Sequence, residues 1–109
     1  MSPEAAGYAV SVTIRWSEYA LRERVILWNQ LSNTSPSAAL NLNVSVERAL
    51  RHLRCFPAMG RPHRAGNTRV LVPHKRYKLI YRLKENAVTI LSLHNVSRPW
   101  PPRDYPFHD

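Results

Sequence analysis

The sequence predicts an α+β domain in which two helices pack on one face of an antiparallel sheet, in the order β-α-α-β-β-β. Three observations predict this class: one alternating segment opens the domain, two capped helical patterns follow, and three short alternating segments with tight turns close it. Short turns join neighbouring antiparallel strands, and two helices cover only one face of the resulting sheet. A chain of 109 residues, 44% of them hydrophobic, has the material for one modest core.

The first strand is predicted over residues 10–16, where apolar and polar residues alternate strictly. Residues 1–9 precede it and are expected to form a flexible leader. Ser17 has the side chain of an N-cap, which predicts a first helix from that point to about residue 31. The apolar residues at helical spacing define its expected buried stripe: Leu21, Val25, Trp28 and either Leu27 or Leu31.

The second helix is predicted to begin at Ser35, with Pro36 as its first helical residue, after a turn over residues 32–34. Pro57 ends this helix because proline lacks the backbone N–H that a helix interior needs. Cys55, close to that end, is expected to be a small core residue. The predicted apolar stripe of the second helix comprises Ala39, Leu42, Val46, Ala49, Leu50 and Leu53.

Three further strands are predicted over residues 69–72, 76–84 and 88–94, and the middle one alternates most clearly. The domain is predicted to span residues 10–101, followed by an extended, proline-rich tail over residues 102–109. On the middle strand, Tyr77, Leu79, Tyr81 and Leu83 lie on the predicted core face, and Arg76, Lys78, Arg82 and Lys84 lie on the other.

The positive charge of the chain is concentrated in its second half. The formal net charge is +9; residues 1–47 hold three basic and four acidic residues, whereas residues 48–109 hold thirteen basic and three acidic ones. Such asymmetry predicts an acidic or polyanionic partner for the second half.

Several function classes find no support in the sequence. No apolar run approaches the roughly 20 residues that span a bilayer, and the first residues lack the pattern of a secretory signal. Cys55 is the only cysteine, so an intramolecular disulfide is excluded and a cytosolic location fits. The sequence has no paired carboxylates, no zinc-ligand spacing and no glycine-rich phosphate loop, and we therefore expect neither a metal nor a cofactor.

Five short motifs of the second half are loose individually but fairly specific in their order and spacing. They are Phe56-Pro-Ala-Met-Gly-Arg-Pro62, Thr68-Arg-Val-Leu-Val-Pro73, Tyr77-Lys-Leu-Ile-Tyr-Arg82, Ile90-Leu-Ser-Leu-His94 and Arg98-Pro-Trp-Pro101. Together with the preceding strand and helices, they make residues 10–101 resemble the RelE/ParE superfamily of bacterial type II toxin–antitoxin toxins. The resemblance implies the RelE/ParE toxin fold, a cognate antitoxin, and growth arrest by the free toxin.

The superfamily has two functional branches, and two places in this chain favour the second. RelE-like toxins cleave messenger RNA in the ribosomal A site with basic residues and a C-terminal aromatic residue or histidine, whereas ParE-like toxins poison DNA gyrase. Leu71 occupies a place where the RelE-like branch often has a lysine. The catalytic tyrosine of that branch has no clear match, since Trp100-Pro101 lies near its place and Tyr105 reaches it only with a shift. The resemblance is therefore closer to the ParE-like branch.

Two alternatives remain open. A non-toxic nucleic-acid-binding module is consistent with the charge, although the sequence has no recognition helix or RNA-binding signature. A RelE-like, ribosome-dependent endoribonuclease would use cations to stabilise the charge on the phosphorane and His94 as a general acid or base. Its catalytic residues would be Arg69, Lys78, Arg82, His94 and Arg98.

The predicted face for a target or partner is basic and lies mainly on the three last strands. Because it is basic, we expect an acidic antitoxin that masks part of the face with a segment that folds on binding. The expected target is DNA gyrase or, in the alternative, the ribosome and messenger RNA, and the expected location is the bacterial cytoplasm. The face comprises Arg61, Arg64, Arg69, Arg76, Lys78, Arg82, Lys84, Arg98 and Trp100.

Overall fold

The computed structural model describes residues 12–63, 67–103 and 105–106, so the leader predicted at residues 1–9 lies outside the described residues. Within those ranges the predicted α+β class and element order are confirmed, with one short additional strand. The elements are β1 (Thr13–Trp16), α1 (Glu18–Thr34), α2 (Pro36–Cys55), β2 (Arg61–Pro62), β3 (Thr68–His74), β4 (Tyr77–Lys84) and β5 (Ala87–Asn95).

The strands form one sheet in the order β1-β5-β4-β3-β2. Strands β2 to β5 make successive antiparallel pairs, but β1 pairs parallel to β5, so the sheet is mixed rather than wholly antiparallel as predicted. The additional strand β2 is only two residues long and pairs with the beginning of β3.

Both predicted helix starts are confirmed, because each has a serine cap. The hydroxyl of Ser17 accepts a hydrogen bond from Ala20 N at 3.1 Å, and the hydroxyl of Ser35 accepts one from Ala38 N at 3.3 Å. The turn predicted at residues 32–34 is instead the last part of α1. The hydroxyl of Thr34 donates back to the carbonyl of Gln30 at 2.7 Å, which supports a continued helix.

The buried face of α1 differs from the predicted one. Leu21, Val25 and Trp28 are 48%, 58% and 41% exposed, whereas Ala20 is fully buried and Leu27 and Leu31 pack against the core. Two polar anchors fix this rotation of the helix. One is Glu23, which binds β5; the other is Arg24, whose Nη2 donates to α2 at Asn43 Oδ1 (2.7 Å) and Glu47 Oε2 (2.8 Å).

The sheet carries a different apolar cluster on each face. On the helix side, the inward residues of β4 and β5 pack against α2, whose predicted stripe is buried in full; Cys55, outside that stripe, is exposed rather than part of the core. On the opposite side, which we call the far face, two aromatic residues of the C-terminal segment join residues of β3, β4 and β5. The far-face cluster contains Val70, Ile80, Leu91, Trp100 and Tyr105, with Tyr19 packed against it.

Tyr81 fixes the loop between α2 and β2. Its ring is fully buried, and its hydroxyl donates to the carbonyl of Pro57 at 2.7 Å and accepts from Gly60 N at 2.9 Å. Gly60 is required at this place, because a Cβ atom there would lie 2.8 Å from the Tyr81 ring. The predicted core position of Tyr81 is therefore confirmed, and its polar end determines the path of the loop.

We predict that Tyr81→Phe lowers the free energy of unfolding by about 1–3 kcal/mol, because it leaves the buried Gly60 N–H and the partly buried Pro57 carbonyl without their partner. Chemical denaturation monitored by circular dichroism measures the change. Tyr77→Phe is the matched control and should stay within about 0.5 kcal/mol of the wild type, since Tyr77 is only half-buried. Equal losses in the two variants would contradict this role of the Tyr81 hydroxyl.

Candidate functional site

The structure divides the predicted site residues between the two faces of the sheet. Residues that pair directly across antiparallel strands share a face. Arg69 pairs with Tyr81 and therefore lies on the helix side. Lys78 pairs with His94 on the far face, which also carries Arg82. Of the remaining predicted residues, Arg61, Arg76, Lys84 and Arg98 are exposed, Trp100 is buried, and Arg64 lies outside the described residues.

Arg69 is engaged in holding the loop after α2. Its Nη1 donates to the carbonyl of Gly60 at 2.7 Å and to that of Ala58 at 3.1 Å. Both acceptors belong to the loop that Tyr81 also binds. The guanidinium of Arg69 thus stabilises local structure on the side of the sheet opposite to Lys78 and His94.

The centre of the far face is covered by the C-terminal segment. Trp100 and Tyr105 are buried against Ile80 and Leu91, and their rings meet edge to face with centroids 5.0 Å apart. The Tyr105 hydroxyl donates to the carbonyl of Leu91 at 2.8 Å. On β4, Ile80 is the far-face residue between Lys78 and Arg82, so these contacts cover the middle of that face.

His94 belongs to a buried polar chain that begins on α1. Its Nδ1 lies 2.8 Å from the Ser92 hydroxyl, which donates to Glu23 Oε1 at 2.8 Å; the same carboxylate oxygen accepts from Leu93 N at 2.8 Å. Only 8% of His94 is exposed. Burial, reinforced by the positive charge of Lys78, lowers the pKa of His94 to about 4. The imidazole is therefore neutral at pH 7.

Glu23 is the acceptor at the start of this chain. Burial raises the pKa of its carboxyl group, and the hydrogen bonds from Leu93 and Ser92 oppose that rise. Glu23, His94 and Arg98 line one open cleft of about 570 Å³ beside α1 and the end of β5. The cleft combines a carboxylate, a neutral imidazole and an exposed guanidinium.

A second candidate surface lies between the helices, and the sequence interpretation missed it by assigning its residues to the core. A mainly apolar cleft of about 230 Å³ separates α1 from α2; its rim includes Val25 and Trp28, and its floor reaches Leu42, Val46 and Leu93. We call it the interhelical cleft. Leu40 and Val44, outside the buried stripe of α2, add further exposed apolar surface. The sequence offered one signal for this surface, because Leu40 and Val44 are apolar residues that lie off the predicted buried stripe of α2.

Other kinds of site have no counterpart in the described ranges. None of the helices there is both long and apolar enough to cross a bilayer. The described residues also contain no group of three His, Cys, Asp or Glu side chains able to hold a metal ion. The two candidate surfaces described above are the far face and the interhelical cleft.

Comparisons with known proteins agree with this architecture. A profile of the family described as the ParE toxin of the type II toxin–antitoxin system parDE matches residues 14–100. Y4kP of Sinorhizobium fredii, described as a candidate toxin, is 33% identical over 89 residues, which cover 81% of this chain and 92% of that protein.

Two solved structures share the fold. One, from a chromosomal ParDE system of P. aeruginosa, superposes with a TM-score of 0.67 at 17% identity and covers 81% of this chain and 99% of its own. The other, from the RelBE2 toxin–antitoxin complex of Mycobacterium tuberculosis, has a TM-score of 0.56 at 23% identity, with coverages of 83% and 97%.

We predict that His94 makes the protein less stable as the pH falls. Because the folded pKa of about 4 lies below the ordinary value of 6.5, the unfolded chain binds more protons between these values. The contribution of His94 to the free energy of unfolding should fall by up to about 3 kcal/mol from pH 6.5 to pH 4. Urea denaturation across this range measures it.

The control is His94→Asn, whose amide can still reach Ser92 but does not titrate. The raised pKa of Glu23 acts in the opposite direction, stabilising the fold as the pH falls towards 4.5, and it is present in both proteins. The difference between the two pH profiles therefore isolates His94. Parallel profiles would show that His94 is not buried as described.

Proposed function

Because the chain belongs to the ParE toxin family of type II toxin–antitoxin systems, we propose that it arrests bacterial growth by poisoning DNA gyrase and that a cognate antitoxin neutralises it. The broader assignment, a type II toxin of the ParE/RelE superfamily, follows from the family match and the relative. The choice of gyrase rather than the ribosome is the proposal. The bacterial cytoplasm, where gyrase acts, is the proposed location.

The observation that carries this choice is the covered far face. An endoribonuclease needs its cations and its acid–base group gathered around one phosphate. Here Arg69 binds a loop on the helix side, and the Tyr105 hydroxyl is used by Leu91. Trp100 and Tyr105 cluster with Ile80, the far-face residue between Lys78 and Arg82 on β4. This arrangement favours a toxin that acts by binding a protein.

A ribonuclease remains the second candidate because of one cluster. Lys78 lies directly across from His94, and Arg98 lines the same cleft as His94. Two cations beside an imidazole are the elements that RNA cleavage would require. The low pKa of His94 leaves it uncharged at pH 7, so in this candidate the two cations would have to supply all the positive charge.

The interhelical cleft is the surface we assign to the antitoxin. It is apolar, it is open, and it lies between two helices, which is the arrangement that receives the apolar face of an amphipathic helix. Val25 and Trp28 are exposed there without a described partner to cover them. The net charge of +9 favours an acidic antitoxin. We propose that this antitoxin also masks part of the predicted basic face on the three last strands.

We predict that the purified chain converts supercoiled plasmid into linear DNA in the presence of gyrase and ATP, when the reaction is stopped with detergent and protease. The same preparation should leave messenger RNA on programmed ribosomes uncut. Gel electrophoresis and primer extension measure the two activities, and the chain mixed with its antitoxin is the control.

Codon-phased cuts in the messenger RNA, lost in Lys78→Ala and in Arg98→Ala, would contradict the gyrase proposal and establish the ribonuclease. Unaffected growth on expression of a folded chain without antitoxin would instead favour a non-toxic nucleic-acid-binding module. Expression of the toxin should therefore also be followed by cell counts and by an SOS reporter, which we expect to rise.

We predict that the double variant Val25→Ser/Trp28→Ser binds the antitoxin at least roughly tenfold more weakly, because it removes apolar contact area at the cleft. Both side chains are exposed, so the fold should be retained. Val96→Ser, at another exposed apolar residue, is the matched control. If the double variant, Val96→Ser and the wild type bind the antitoxin with equal affinity, the antitoxin does not bind in the interhelical cleft.

A further inference from the structure

A second groove lies on the other side of α2, between that helix and β3. Ala49 and Leu71 belong to its lining, and Met59 and Val72 add apolar surface that is 44% and 49% exposed. The groove has a volume of about 180 Å³. Phe56, just after α2, is 66% exposed. This α2–β3 groove is separate from the interhelical cleft, since the two share no lining residue.

The described lining of the α2–β3 groove contains one cation, Arg48, and no acidic residue. Arg48 and His52 line the groove from α2. Among the described residues, the ion pairs are Arg22–Glu18 and Arg24–Glu47, and neither includes a lining residue. Glu47 precedes Arg48 in the chain, but its carboxylate is directed to Arg24 on α1. A negatively charged partner would therefore meet Arg48 without competition from an internal carboxylate.

The edge of β3 restricts how a partner can bind. Strand β2 pairs only with Arg69 and Val70, so the following part of β3 has no strand neighbour on this side within the described ranges. Pro73 has no backbone N–H, so this part of the edge lacks one of the donors that an added strand would need. Recognition in this groove must therefore come mainly from side chains, both apolar and charged.

We propose that the α2–β3 groove binds an acidic, amphipathic segment of the cognate antitoxin. The inference rests on the proposed function, because it names a second contact for that same partner. Helix α2 supports it: the exposed Leu40 and Val44 follow one another at helical spacing, and Arg48 comes one turn later. A partner segment that extends from the interhelical cleft across the exposed face of α2 thus contacts the apolar side chains of Leu40 and Val44 first and the guanidinium of Arg48 next.

The test uses the full chain and the separately purified cognate antitoxin. Arg48→Glu should raise the dissociation constant roughly tenfold, and the difference should shrink at high salt because the attraction is electrostatic. Val72→Ser should raise it severalfold at all salt concentrations. Isothermal titration calorimetry measures the values, and circular dichroism verifies that each variant is folded.

The matched controls are Arg15→Glu, on β1 at the opposite edge of the sheet, and Val96→Ser. Both should bind the antitoxin within about twofold of the wild type. If Arg48→Glu and Val72→Ser also bind like the wild type while Val25→Ser/Trp28→Ser does not, the groove inference is wrong and the proposed function stands. If the wild type does not bind the antitoxin at all, the proposed function itself fails.

Two other occupants give different results. If Arg48→Glu abolishes binding of a short DNA duplex or an RNA oligonucleotide but leaves antitoxin binding intact, the groove is a nucleic-acid surface. If light scattering shows a dimer of the wild-type chain that Val72→Ser converts to a monomer, with antitoxin binding unchanged, the groove joins two copies. Either result overturns the inference.

Discussion

Strand β5 continues beyond the end of β1, so the last part of its edge has no neighbouring strand among the described residues. The backbone groups at this edge need other hydrogen-bond partners, and those partners determine much of the structure. β1 pairs with β5 only as far as Ile90, whereas β5 continues to Asn95. An unpaired polar backbone group in a buried position costs free energy, so side chains must replace the missing strand. Leu91, an extra residue opposite β4, offers its carbonyl to the hydroxyls of Ser17 and Tyr105, and Leu93 N donates to Glu23. These contacts connect the start of α1 and the C-terminal segment to the same strand.

This connection also shapes the candidate site. The Tyr105 contact holds the C-terminal segment over Ile80 and Leu91 on the far face, which also carries the predicted nuclease residues Lys78, Arg82 and His94. Glu23 fixes the rotation of α1, which turns Val25 and Trp28 outward and leaves the interhelical cleft open. The contacts that close the sheet edge thus cover one surface and expose another, and the exposed one has the apolar character of a protein-binding site.

Local patterns predicted the parts of the fold that are determined locally. The serine caps, Pro36 and the stripe of α2 depend on residues a few positions apart, and the structure confirms them. The rotation of α1 was mispredicted because two apolar stripes have helical spacing there, and contacts to β5 and α2, distant in the chain, select between them. Alternation on β4 predicted the far-face position of Lys78, but the helix-side position of Arg69 depends on the β3–β4 register. Tyr105 was assigned to a tail because nothing nearby in sequence indicates its contact with Leu91.

The central claim is that side chains of α1 and the C-terminal segment seal the edge of β5. Amide hydrogen exchange of Leu93, measured by NMR on the full chain, tests this claim most directly, because its N–H has a carboxylate instead of a strand as its acceptor. A sealed edge predicts that Leu93 N–H exchanges as slowly as that of Leu79 in the centre of the sheet, and that Glu23→Ala makes it much faster. Exchange of Leu93 in the wild type at the rate of an exposed loop amide would contradict it.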